Sequence, residues 1–451
     1  MSQSSVTEYT AQEVIDLNRE YSLFSWAAQS KLNPIPVARA KGVYFWDVDG
    51  KRYIDFSSQL MNVNIGHGHP KVIEAIKRQV ETLAFVYPGM ATRARGEAAR
   101  ALAEITPAPL KKTFFTLGGS EAIENSMKIA RLYTGRQKVI SRYRSYHGAT
   151  FGAMTAGGDP RRLANEPGVP WIVRTLDPYP YRNPIYRHCT PEQGDLVLAD
   201  ILQDQVEMEG PENIAAILLE GYCGSSGLMA PSKAYWKRVR ELCDRYGIVL
   251  IVDEVMSGFG RTGKWFGIDH YDVDPDILAC AKGLTSGYVP LGATVVSEKI
   301  AQYFDDNPLW CGLTYSSHPV GCAAAAACIQ VYKDDRLLEN AQAMGQLMEK
   351  HLKELQDRHP CIGEYRGIGL FYLLELVKNR SSREPMSGWN RPHTEPMLKV
   401  AGFLREKGLS TFVRWDWVFC VPPLCITPEQ LQEGIEIIDE ALSLADPYVE
   451  G

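Results

Sequence analysis

The sequence predicts an α/β fold, with a mostly parallel sheet in a large domain and a smaller α+β domain built from both chain ends, on three observations. Short apolar runs alternate with segments of helical period between about residue 90 and residue 330. Several runs are unbroken instead of alternating, as at 214–219 and 248–252, which suits strands covered on both faces. Outside that span the pattern changes, to a hairpin signal before it and to helices interleaved with short strands after it. A chain of 451 residues exceeds one typical core, so two units are expected: 61–329 as the large domain, and 1–60 with 330–451 as the small one.

In chain order, a short amphipathic segment around Val14 to Tyr21 leads through Phe24, Trp26 and a Pro34-Ile35-Pro36 turn. Residues 42–46 and 51–55 flank Asp47-Val48-Asp49-Gly50, a hairpin signal. A helix is expected over 71–82, with Val72, Ile76, Gln79 and Leu83 at helical spacing behind Pro70. The strand candidates of the large domain are 113–117, 138–141, 214–219, 248–252, 277–281 and 293–296. The clearest helix between them carries Tyr235, Val239, Leu242 and Tyr246 on one face. Beyond residue 330 come a helix over 337–355, strands at 368–376 and 411–421, and helices at 396–407 and 428–444. No internal repeat or heptad run is present, which excludes a solenoid or a coiled coil.

Composition narrows the class. A net charge of -6 offers no basic footprint for nucleic acid. The first eight residues lack the basic and apolar regions of a signal peptide. The longest apolar stretch, 320–331, is too short to cross a bilayer and contains Gln330, so no membrane is expected. The 10 cysteines form no Cys-x-x-Cys pair and read as reduced core residues of a cytoplasmic protein. His67-Gly68-His69 lacks a nearby third ligand, so no metal is expected.

The chemistry concentrates at strand ends. The 248–252 run stops at Asp253 and Glu254, and the 277–281 run delivers Lys282, followed by Gly283. In open α/β sheets ligands bind at the carboxyl ends of the strands, so Asp253 and Lys282 are expected to face one another there. A lysine in apolar surroundings loses its proton readily and can form a Schiff base. Pyridoxal 5'-phosphate (PLP) needs such a lysine and a carboxylate beside its pyridine nitrogen. Strand 113–117 runs into Gly118-Gly119-Ser120 and then a helix, where free backbone N–H groups and the Ser120 hydroxyl suit a phosphate. Tyr146 follows another strand and offers a ring for stacking. Glu220 ends the strand 214–219 as Asp253 ends its own, and Thr314 lies in a hydroxyl-rich loop. Each residue alone has a plainer reading: Asp253 as a helix cap, Lys282 as a solvated lysine, Gly-Gly-Ser as a turn, Tyr146 as a core residue and Glu220 as an arginine's partner.

Gly119-Ser120-Glu121-Ala122, Tyr146-His147-Gly148, Asp253-Glu254-Val255 with Gly258-Phe259-Gly260-Arg261-Thr262-Gly263, and Ala281-Lys282-Gly283 stand in an order that resembles class III PLP-dependent aminotransferases, the ω-transaminase group. The resemblance spans nearly the whole chain, from Tyr44-Phe45-Trp46-Asp47 to Val421-Pro422-Pro423-Leu424. It implies the PLP-dependent transferase fold type I, with PLP on the large domain, and a homodimer or dimer of dimers with its sites at the subunit interface. It also implies Lys282 as the Schiff-base lysine and proton carrier, and ping-pong exchange through pyridoxamine phosphate. Carried over by position, Asp253 meets the pyridine nitrogen; Glu220 is read from its strand-end position alone as a group that hydrogen-bonds the cofactor's phenolic side or orients its neighbours. Val255 packs one ring face and Tyr146 stacks on the other. Gly119 and Ser120 hold the phosphate, and Thr314 reaches the neighbouring subunit's phosphate.

For substrates, the resemblance places Arg414, shortly before Pro422-Pro423-Leu424, as the clamp for an acceptor carboxylate or sulfonate. The plainer reading of Arg414 is a surface arginine between aromatic residues. Met61 stands where amine transaminases often carry a tryptophan; Phe24, Trp26 and Tyr87 are further wall candidates beside Tyr146. Residues 55–67 resemble the taurine–pyruvate and ω-amino acid–pyruvate enzymes. The expected activity is transfer of an amino group from an ω-amino acid, taurine or a primary amine to pyruvate. The alternatives are a 2-oxoglutarate-dependent ornithine- or 4-aminobutyrate-type enzyme, and a PLP-dependent racemase or aminomutase on the same fold.

Overall fold

Strands at the two chain ends frame the structure, a computed structural model that describes residues 9–450; the stretch read for a targeting signal lies outside them. Near the start, β1 (Val37–Lys41), β2 (Tyr44–Asp47) and β3 (Arg52–Asp55) form an antiparallel meander. The turn between β2 and β3 closes as the Asp47 carboxylate accepts the Lys51 amide at 2.8 Å, with Gly50 at φ 86°. The expected hairpin is therefore present.

The central sheet contains β4 (Leu110–Thr116), β5 (Lys138–Arg142), β6 (Ile172–Thr175), β7 (Ile214–Glu220), β8 (Val249–Asp253), β9 (Ile277–Cys280) and β10 (Gly292–Ser297), ordered β4-β10-β9-β8-β7-β5-β6. Only β10 runs antiparallel, against both β4 and β9; the pairings from β9 across to β6 are parallel. Every residue of β7, β8, β9 and β10 is buried, which is why those runs show no polar alternation. The edge strand β6 escaped prediction because it is only partly buried and Arg174 interrupts its short apolar run. Helix Lys233–Tyr246 packs Tyr235, Val239 and Leu242 inward, with Ser232 as its cap and Gly247 in the left-handed conformation at its end.

At the other end of the chain, β11 (Ile362–Ile368), β12 (Phe371–Asn379), β13 (Glu384–Pro385), β14 (Leu409–Ser410), β15 (Val413–Arg414) and β16 (Trp417–Cys420) follow. The order β11-β12-β16-β15 makes a third sheet with β13 on β12, whereas β14 runs parallel to β3 and so joins the two chain ends. Two expected strands are corrected here. The 368–376 run crosses a hairpin turn at Gly369, φ 60°, and the 411–421 run turns at Trp415, φ 55°. Both turns are covered, with Asp416 itself buried beside Trp415, so neither shows the exposed polar run of an ordinary turn.

One cation ties these parts together. Arg261 is fully buried and donates to the carbonyls of Leu370 (3.0 Å) and Pro422 (2.6 Å), to Ser58 Oγ (3.1 Å) and to Asn64 Oδ1 (2.8 Å). All ten cysteines are unpaired. Among the described residues no helix is long and apolar enough to cross a membrane, and no cluster suits a metal ion. His67 and His69 instead pair with Asp55 and Asp335.

Candidate active site

Parallel pairing brings the chemistry together. Glu220 at the end of β7 is in register with Asp253 at the end of β8, and Asp253 with Ala279 of β9. Lys282 stands two residues beyond β9 at φ 39°, in a left-handed conformation that costs a lysine backbone energy and marks a constrained position. Glu220, Asp253 and Lys282 all line one cavity of about 530 Å³, together with Gly119, Ser120, Tyr146 and Val255. Burial pulls the Lys282 ammonium below its ordinary value, against the opposing charges of Asp253 and Glu220.

The Asp253 carboxylate is held at both oxygens. Oδ1 accepts the Val255 amide at 2.9 Å, and Oδ2 lies 2.7 Å from His147 Nδ1, whose Nε2 is 3.1 Å from Ser141 Oγ. Sequence reasoning passed over His147, although it stands beside Tyr146 in the same tripeptide. Glu220 accepts the amides of Tyr146 (3.1 Å) and Gly224 (2.6 Å); burial, with the Asp253 charge adding, pushes its carboxyl up to about 7. The adjacent Glu254 has a different role. It accepts the Ser257 hydroxyl at 2.6 Å and the amides of Gly267 (2.9 Å) and Ile268 (2.7 Å), and so staples the turn after β8.

A phosphorylated pyridine fits these groups. Helix Gly119–Thr134 begins without a side-chain cap, leaving its first N–H groups for an anion. Ser120 Oγ accepts the Ala149 amide at 3.0 Å, so its own proton remains to be donated. A Cβ on Gly119 would lie 2.8 Å from Val255 Cγ1, so the glycine lets the backbone approach the cavity floor.

Of the expected wall residues, Trp26, Met61 and Arg414 line the cavity. Met61 is carried by four consecutive left-handed residues, Ser58–Met61, which the Asp55 carboxylate braces through the amides of Ser57 and Gln59. Phe24, Tyr87 and Thr314 do not line it within one chain; Tyr87 and Thr314 are exposed. Two further residues emerge, Asp159 and Arg161, in a Gly157-Gly158-Asp159-Pro160-Arg161 stretch that reads as an ordinary turn. Arg161 lies on the cavity wall, its guanidinium 4.0 Å from the Tyr146 ring centroid and 5.1 Å from that of Trp26. The Asp-Pro-Arg-Arg charges were the available signal.

The family described as Aminotransferase class-III matches residues 26–442. The putrescine–pyruvate aminotransferase of Pseudomonas aeruginosa is 33% identical, covering 97% of this chain and 98% of that protein. Among solved structures, the taurine:2-oxoglutarate aminotransferase of Bifidobacterium kashiwanohense, in complex with PLP and glutamate, is 40% identical with a TM-score of 0.92, covering 99% of both chains. An (S)-enantioselective omega-transaminase from Thermomicrobium roseum is 38% identical with a TM-score of 0.91, covering 97% of this chain and 99% of that one. With a family match over most of its length and solved transaminases superimposing on nearly all of it, the chain belongs to the class-III aminotransferases, enzymes of PLP-dependent fold type I that transfer amino groups.

Proposed function

We propose that this enzyme moves the amino group of an ω-amino acid, taurine or a primary amine to pyruvate by a ping-pong route. The observation that carries the reading is that Asp253, Lys282 and Arg414 open into one cavity. Bound PLP supplies an electron sink for charge developing on the substrate carbon. Lys282 would anchor it and, once freed by an incoming amine, would act as the base that takes the proton at the substrate carbon, a task helped by its lowered affinity for protons. Asp253, itself oriented by His147, would hold the pyridine nitrogen. Val255 and Tyr146 would bound the ring faces and Gly119 and Ser120 would take the phosphate, while Glu220 fixes the Tyr146 backbone. Arg414 receives the acceptor carboxylate.

The same reading assigns residues 61–329 to the PLP domain and 1–60 with 330–451 to the small one, a division supported by the β3–β14 pairing. It makes the enzyme a homodimer or dimer of dimers, in which Thr314 serves the neighbouring site and Phe24 and Tyr87 complete the wall. A cytoplasmic location fits ten unpaired cysteines.

Arg161 favours a second reading, with 2-oxoglutarate as acceptor. A second guanidinium on the wall could take a second carboxylate, and one of the similar solved structures is a taurine:2-oxoglutarate aminotransferase. Half-reactions separate the two: alanine and taurine should bleach the PLP absorbance, with glutamate weak. Bleaching by glutamate alone would reverse the choice of acceptor.

A further inference from the structure

A second, smaller cavity of about 240 Å³ is closed by the end of helix Phe151–Ala156, by the turn Pro160–Asn165 with the residues that follow it, and by the edge strand β6. Neighbouring residues of the turn serve different cavities. Arg161 lines the one that holds Lys282, whereas Arg162 lines this one, where Arg174 of β6 joins it. The Nε–H groups of both Arg162 and Arg174 are shut off from solvent and find no acceptor among the described residues. Arg174 spends Nη2 on backbone, donating to the Thr155 carbonyl at 2.5 Å and the Gly157 carbonyl at 3.4 Å. Arg162, only 16% exposed, pairs through Nη1 with Glu166, which is 45% exposed and is the one carboxylate on the lining. Two cations against one carboxylate leave an excess of one positive charge. Burial, with the Arg162 charge adding, pulls the Arg174 guanidinium below its ordinary value.

We infer that this cavity is a binding site for a small tetrahedral oxyanion, either inorganic phosphate or the phosphate end of a small ester, distinct from the cavity that holds Lys282. A buried N–H group without an acceptor is costly, so donors that the protein leaves unmatched are met by a water or an ion. Water would satisfy the two Nε–H groups and leave the excess charge; an oxyanion answers both. The donors stand on two separate elements, the turn and β6. A group with oxygens on four sides meets both at once, whereas a carboxylate is matched by the fork of a single guanidinium. An occupant would tie the turn to the sheet edge directly behind Asp159 and Arg161, which are themselves joined by Nε to Oδ1 at 2.7 Å.

The test uses the PLP-loaded protein in a phosphate-free buffer, so that the cofactor's own phosphate site is already filled. Calorimetric titration with sodium phosphate should show saturable binding that sodium chloride at equal ionic strength does not reproduce. Arg174→Gln should weaken it about tenfold, the loss expected for one charged hydrogen bond. Arg414→Leu should bind phosphate within about threefold of the original, which separates this cavity from the receptor for substrate carboxylates. Hydrogen exchange read by mass spectrometry places the site: phosphate should protect amides between residues 154 and 174. Glycerol phosphate distinguishes the sources, since tighter binding than phosphate identifies an ester's end group and weaker binding the free ion. No heat up to about 10 mM phosphate, undiminished binding in Arg174→Gln, or acetate binding as tightly as phosphate would overturn the proposal. So would protection confined to residues 119–121. Should Arg174→Gln not fold, Arg162→Gln and the exchange pattern of the original protein decide. All these readouts are made without turnover, so they stand apart from whether any amine bleaches the cofactor.

Discussion

Glu254 provides a prediction whose size follows from its surroundings. It is fully buried, and although the Ser257 hydroxyl and two amides oppose the effect, burial pushes its carboxyl from 4.5 up to about 8. A carboxyl raised in the fold contributes stability that is intact below its unfolded value and lost as pH rises through its folded value. Between pH 5 and pH 7 the unfolded chain releases this proton while the folded one keeps it, which removes about 2–3 kcal/mol of stability. Glu254→Gln abolishes that slope. It also turns an amide NH₂ toward Gly267 or Ile268 N–H, at a cost of about 1–3 kcal/mol at every pH. The variant should therefore be weaker than the original at pH 5, and the gap should close or reverse by pH 8. Urea midpoints followed by tryptophan fluorescence across that range measure both curves. Parallel curves would mean that Glu254 is ionised inside the fold, and would refute the reasoning.

Three further outcomes follow from the site. Asp253→Asn should still fold but lose most of its turnover with every donor, read as single-turnover rates after PLP loading; unchanged rates would remove Asp253 from the chemistry. Arg414→Leu should lower kcat/KM for pyruvate roughly a hundredfold, the value of two charged hydrogen bonds, while sparing the half-reaction with 1-phenylethylamine. An equal loss in both would point to general damage. Gly119→Ala puts a methyl 2.8 Å from Val255 Cγ1, so PLP affinity measured by dialysis should fall, with an overpacking cost of about 1–3 kcal/mol in stability.

The parts of the site that were legible in sequence lie at the ends of long buried strands. Asp253 and Lys282 close unbroken apolar runs, and a parallel sheet brings such ends to one edge. Gly119 and Ser120 were legible for a similar reason, as a small-residue turn between strand and helix. Other residues act through partners distant in the chain. Asp159 meets Arg414 across 255 positions, and His147 meets Asp253 across 106, so no local pattern announces either pair. In the same way Arg261 looks like part of a glycine-rich turn, yet it pins Leu370 and Pro422. The edge strand β6 and the covered turns at Gly369 and Trp415 were missed because burial there does not follow the period of a strand.

The proposed role of Lys282, as the amine that carries the cofactor opposite Asp253, is open to one direct measurement. Loading the protein with PLP, reducing it with borohydride and mapping the pyridoxyl mass by peptide sequencing identifies that amine directly. A single labelled site at Lys282 is expected, absent from Lys282→Ala. A label on another lysine, or none on a protein that still transaminates, would contradict it.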